Sequence, residues 1–128
     1  MPTHSLFRNW QRNSDLTSKR QDINAEGEQT VEVAVPDSST DKQIDIVIDV
    51  SELKSLYIVS DQDVTIETND GSAPDDTIAL KAGIPLMWES VSGYFSNPFS
   101  TDITGLYITN SSGSDATVTI RVLEDVTP

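Results

Sequence analysis

With 128 residues, 21 acidic against 8 basic side chains and no cysteine, the chain has material for one cored domain and a formal charge of −13. The lack of cysteine excludes a disulfide framework, a thiol nucleophile and a thiolate metal site. No apolar run approaches the roughly eighteen residues of a membrane span and none follows the charged N-terminus, so a soluble chain without a secretion signal is expected.

The charge is unevenly placed. Residues 1–20 carry Arg8, Arg12, Lys19 and Arg20 against Asp15 alone, a net of +3, whereas the rest sets Lys42, Lys54, Lys81 and Arg121 against twenty acids, a net of −16. A basic docking arm over residues 1–25 and an acidic body over 26–128 follow; such asymmetry governs partner choice without fixing a fold. If residues 5–13 are helical, Leu6, Phe7 and Trp10 share one side and Arg8 and Arg12 lie one turn apart on another. Nine residues are too few for a helix that stands alone in water, so the free arm is expected to be mobile. Large aromatics on a tail make poor use of apolar area, roughly 150–250 Å² each, unless a partner covers them. Leu6, Phe7, Arg8, Trp10 and Arg12 are therefore the expected partner-binding residues. The competing expectation lays the arm back on its own acidic body. Four basic groups neutralise few phosphates, which argues against nucleic acid.

From Gln29 the period becomes that of strands. Val31, Val33 and Val35 alternate with Glu32 and Ala34, and Ile44, Ile46, Ile48 and Val50 alternate with Asp45, Val47 and Asp49. Residues 51–54 are the one candidate for a helical turn. Residues 56–59 and 64–68, separated by a short polar connection, read as a hairpin. Further strands are expected around Ile78 and Leu80, over residues 84–88 and 106–109, and from Ala116 to Val122, about eight in all. Pro85 cannot donate to a ladder, so its strand belongs at an edge or a bulge. Turn clusters at 36–40, 69–76, 96–98 and 110–115 separate them, the last including an Asn110-Ser111-Ser112 sequon read as a turn. Connections too short for helical crossovers predict an all-β chain, an antiparallel β-sandwich, jelly-roll-like, with an extended N-terminal arm.

Residues 87–99 hold Trp88, Tyr94, Phe95 and Phe99, half of the eight aromatics. Trp88 and Phe95 can plug one end of the sandwich. Tyr94, Phe95 and Phe99 are the expected apolar centre of an oligomer interface. Trp88 with Tyr94 offers a sugar-stacking platform, though without the dense Asn, Asp and Arg setting that fixes sugar hydroxyls. Asp61 with Asp63, and Asp70, Asp75 and Asp76 with Asn69, present oxygens of the kind calcium prefers, at a spacing unlike an EF-hand. Turn chemistry explains them, and neither metal nor cofactor is expected. The sole histidine, His4, reads as an exposed tail residue, leaving a Ser-His-Asp device without a fixed base. No phosphate loop or dinucleotide fingerprint is present, and abundant acids make any glycosidase pair uninformative, so no enzyme is expected.

The arm, the small cysteine-free acidic sandwich, and the segments LYIVSDQDVTIETNDGSAPDDTIALKAG (56–83) and GLYITNSSGSDATVTIRVLED (105–125) resemble the capsid decoration (cement) proteins of tailed bacteriophages. The resemblance spans residues 5–125 and carries over no single functional residue. It implies a jelly-roll or similar sandwich, a homotrimer on the outer capsid surface assembled in the host cytoplasm, and extended termini that clamp neighbouring major capsid protein subunits. The expected function is a non-enzymatic virion structural protein. Its partners are the major capsid protein and further copies of itself, with no nucleic acid and no membrane. The alternative is a carbohydrate-binding or receptor-binding module of a virion appendage.

Overall fold

The computed structural model describes residues 2–125; the last three residues of the expected body lie outside them. Ten strands follow in chain order: β1 (Thr3–Arg12), β2 (Asp15–Asn24), β3 (Gly27–Val35), β4 (Ser39–Ile44), β5 (Leu53–Ser60), β6 (Val64–Thr68), β7 (Thr77–Leu80), β8 (Leu86–Glu89), β9 (Leu106–Asn110) and β10 (Ala116–Glu124). No helix occurs among the described residues, so none is long and apolar enough to cross a membrane. β1 and β2 form a ribbon by themselves, and the other eight make two four-stranded sheets ordered β3-β10-β5-β8 and β4-β9-β6-β7. Every pairing is antiparallel. The chain is an antiparallel β-sandwich.

Alternation decides which faces meet. Ile120 lies directly opposite Ile58 across one sheet and Ile66 opposite Ile108 across the other, and all four are fully buried where the sheets face each other. Phe99, from the connection between β8 and β9, joins the same cluster at 2 % exposure. The polar groups that enter this interior are paired: Asn110 donates to the carbonyls of Val35 and Ser114 and accepts from the amide of Ser112. That buried side chain closes the turn of the sequon. No buried side-chain nitrogen or oxygen lacks a partner among the described residues.

The structure departs from the sequence reading in four places. The arm is not a helix but a hairpin, turned by Asn13 and Ser14 with Asn13 in the left-handed region (φ 53), which asparagine tolerates. The strand expected over 44–50 ends at Ile44; Ile46 and Ile48 still point into the core, but pairing beyond Ile44 reduces to one bridge, Ile48 with Ile103. Apolar alternation records burial and not ladder bonding. β5 and β6 are not a hairpin, because the connection between them crosses from one sheet to the other and β5 pairs with β10 and β8 instead. Residues 50–52 form a turn from which β5 starts at Leu53, with no helix. Pro85 stands just ahead of β8 and outside its ladder, and β8 is an edge strand.

Replacing Phe99 by alanine removes the ring that closes the core. The variant is expected to lose about 3–5 kcal/mol in urea denaturation, with a lower midpoint and an unchanged slope. A loss below about 1 kcal/mol would place the ring outside the core.

Candidate functional site

The base of the arm is seated on the outer face of the β3-β10-β5-β8 sheet. Glu28, Leu123, Ser55 and Glu89 are successive cross-strand partners and form one row across all four strands. His4, Leu6 and Arg8, alternate residues on one face of β1, engage that row. The His4 imidazole bonds Ser55 Oγ through Nδ1 (2.5 Å) and Glu28 Oε2 through Nε2 (3.2 Å). An ionised Glu28 can only accept, so Nε2 carries a proton. Leu6 packs with Ile23, Ala25 and Leu123 in a small second core, and Arg8 reaches Glu89 Oε1 at 3.0 Å. β1 therefore lies across the sheet. The expectation of an exposed, unfixed His4 is corrected: its imidazole is held from both sides. Ser55 is buried at 2 % exposure, so the carboxylate, imidazole and hydroxyl in sequence serve to fasten the arm.

Beyond the seat, residues 7–20 are all exposed. Phe7 (56 %), Trp10 (79 %) and Leu16 stand on a two-stranded ribbon that touches the body only near its base, at Phe7 and Arg8, and is exposed on both faces beyond them. Arg8, Trp10 and Arg12 share the face of Leu6, together with their cross-strand partners Lys19, Thr17 and Asp15, while Phe7, Leu16 and Arg20 take the opposite face. Of the five residues expected to bind a partner, the structure thus places Phe7, Trp10 and Arg12 in the uncovered ribbon. Leu6 anchors its base, and Arg8 joins the two.

The second group is divided more sharply. Tyr94 and Phe95 are 76 % and 75 % exposed on the loop after β8, whereas Phe99 fills the core and has no surface to offer an interface. Trp88 packs partly on the core, and its Nε1 donates to the Phe95 carbonyl at 2.9 Å, which fixes the loop from within. Glu89 ties this loop to the arm: besides Arg8, its carboxylate accepts from the amides of Val91 (2.8 Å) and Ser92 (2.9 Å) and from the Ser92 hydroxyl. Burial pushes the Glu89 carboxyl up, but the bonds from Ser92, Val91 and Arg8 outweigh it and hold it below the usual range. The arm and the aromatic loop consequently share one surface. Phe7, Met87 and Phe95 wall a groove of about 130 Å³ that continues past Trp88 into a second, of about 410 Å³, bounded by Pro85 and Pro98.

The acids of the body mostly serve its turns. Asp61 accepts from the amide of Thr117, Asp63 from Ala82, Asp70 from Ser72 and Asp76 from Ser100. Bonds from Asn69 and Thr101 hold the Asp75 carboxyl below its usual range. No group of three or more potential metal-ligating side chains occurs among the described residues. Elsewhere like charges crowd: burial, then Asp49, Glu124, Asp125 and Asp102, push Glu52 up, and burial with Asp41 and Asp70 does the same to Glu67. The body repels anions and further copies of its own surface; the ribbon tip does not.

No protein-family model matches the chain, and no curated protein matches it. Among solved structures it is similar to a chain described as "Bacillus endospore appendages form a novel family of disulfide-linked pili", with 16 % identity and a TM-score of 0.41, over 77 % of this chain and 88 % of that one. The disulfide links named there have no counterpart in a chain without cysteine.

Glu89 was not singled out in the sequence. Because its folded value is the lower one, its contribution to stability is complete above the ordinary value near 4.5 and is lost as pH falls through the folded value. Glu89→Gln is expected to cost about 1–3 kcal/mol at neutral pH by unpairing buried donors. Its urea midpoint should also fall less steeply than wild type below about pH 4.5. Parallel pH curves for the two proteins would contradict this role.

Proposed function

We propose that the protein is a non-enzymatic virion structural protein, a capsid decoration protein. Its basic arm docks on the major capsid protein, and its acidic body associates with further copies, as a trimer, through the surface around Tyr94 and Phe95. The observation that carries this reading is the ribbon tip: fourteen successive residues, 7–20, exposed on both faces and bearing Phe7, Trp10, Leu16 and a net charge of +3. A lone two-stranded ribbon is marginal in water, and uncovered rings at its tip are stabilised by an apolar partner surface. The fastened base sets the tip's direction before any partner arrives, which lowers the ordering cost of docking. Three such tips on one particle would turn weak single contacts into tight retention.

Two further features favour it. Successive body strands alternate between the sheets except at β6 and β7, an order that supports the jelly-roll-like reading. A body at −15 suits the outer surface of a shell better than an interior filled with nucleic acid. The alternative glycan platform of Trp88 and Tyr94 has less support, since the Trp88 ring packs on the core and its N–H is bonded to Phe95.

The test shortens the ribbon and spares its seat. Residues 9–18 are replaced by an Asn-Gly turn joining the cross-strand partners Arg8 and Lys19. The variant should keep its thermal transition and its oligomeric state. Its cosedimentation with empty shells of the virus's major capsid protein should weaken at least about tenfold. Undiminished coating of the shells would overturn the reading.

A further inference from the structure

Next to the seated row runs another that the arm leaves open. Thr30, Arg121, Tyr57 and Met87 are cross-strand partners in turn, one row along from Glu28, Leu123, Ser55 and Glu89 on the same outer face. Between this open row and residues 3–6 of β1 lies a hollow of about 280 Å³. Neither the Arg121 guanidinium nor the Tyr57 hydroxyl has a hydrogen-bond or ion-pair partner among the described residues. Almost every other charged or aromatic group near the arm base is engaged. His4 is bonded on both nitrogens, Glu28 accepts from His4, and Arg8 is taken by Glu89. An unpaired fork of donors beside an unpaired aromatic ring, both on rigid neighbouring strands, is an arrangement that sheet packing does not require.

The chemistry of the lining narrows the occupant. Tyr57 and Met87 give the floor an apolar side, and Arg121, Thr30 and Glu28 give it donors and acceptors along the other. A ligand that fits must have a flat apolar face and an edge of hydroxyl groups. Anions are disfavoured by Glu28 in the wall and by the body's net charge of −15; long apolar molecules are disfavoured by the polar side. The volume lies just under the about 300–1,000 Å³ of drug-sized sites, which leaves space for a single ring with its substituents. We infer that this hollow is a binding site for a neutral saccharide, with one sugar ring stacked on Tyr57 and its hydroxyls bonded by Arg121. The site shares Met87 with the groove of the aromatic loop but includes neither Tyr94 nor Phe95, and no residue of the ribbon from 7 to 20 lines it. A protein seated on a shell by its arm would present it independently of docking.

Saturation-transfer NMR on the full chain tests the assignment, with glucose, galactose, mannose, N-acetylglucosamine and their short oligomers as probes and N-acetylneuraminic acid as the acidic comparison. At least one neutral sugar should bind the wild type. Arg121→Gln, a change on an exposed side chain, and Tyr57→Ala should each weaken that binding at least about tenfold, whereas Tyr57→Phe, which keeps the ring, and Tyr94→Ala should leave it within about twofold. If Tyr57→Ala fails to fold, the contrast between Arg121→Gln and Tyr94→Ala decides alone. Absence of binding by every neutral sugar, preference for the acidic one, or loss in Tyr94→Ala with retention in Arg121→Gln would each overturn the site.

Discussion

The seating of His4, Leu6 and Arg8 on the row formed by Glu28, Leu123, Ser55 and Glu89 is the constraint on which the rest of this molecule depends. Each strand of the outer sheet contributes one member to that row, so the arm can settle on it only when all four strands are in register. The contact combines apolar burial at Leu6 with three polar bonds from His4 and Arg8 at its flanks, and the polar bonds fix direction where burial alone would not. Without it the first 25 residues would be a loose tail. With it they become a ribbon of fixed origin, ten residues to each strand and about 33 Å long at roughly 3.3 Å per residue.

Glu89 gives the seat its reach. One buried carboxylate receives Arg8 from the arm and two backbone amides from the aromatic loop, so the positions of Phe7 and Phe95 are set by the same group. A surface assembled this way is stiff at its centre and adaptable at its edge, where Tyr94 and the ribbon tip stand free of the body. Charge then sorts the contacts: the tip is the cationic end of a strongly acidic molecule. The body's crowded carboxylates oppose close self-association, which any oligomer must offset through apolar contact.

Much of the sandwich was legible because burial on one face of a strand leaves a period of two in the sequence. Val31 to Val35 and Ala116 to Val122 show it and fall within β3 and β10. The arm was not legible, since Leu6, Phe7 and Trp10 suit one side of a helix as well as two faces of a strand, and the turn at Asn13-Ser14 lacks the glycine that marks most tight hairpins. The pairing of β5 was hidden for a related reason: a three-residue connection can close a hairpin or step between sheets, and only the whole core decides which. Within one aromatic stretch, Phe99 went to the core and Tyr94 and Phe95 to the surface, a division set by partners distant in sequence. Glu89 and Ser92 stood three apart, a spacing that would have signalled a side-chain-capped turn. Nothing local linked either of them to Arg8.

Amide hydrogen exchange, resolved residue by residue on the free protein, examines the seated ribbon most directly. The account predicts a gradient along the arm: the amides of Leu6 and Ile23, over the second core, protected nearly as well as those of β10, and those from Asn9 to Ser18 exchanging orders of magnitude faster because no body residue covers them. Uniformly fast exchange through residues 3–24 would show that the seat does not hold. Tip amides as slow as the core in an isolated monomer would show that the tip is already covered by its own body, and a docking role for it would be lost.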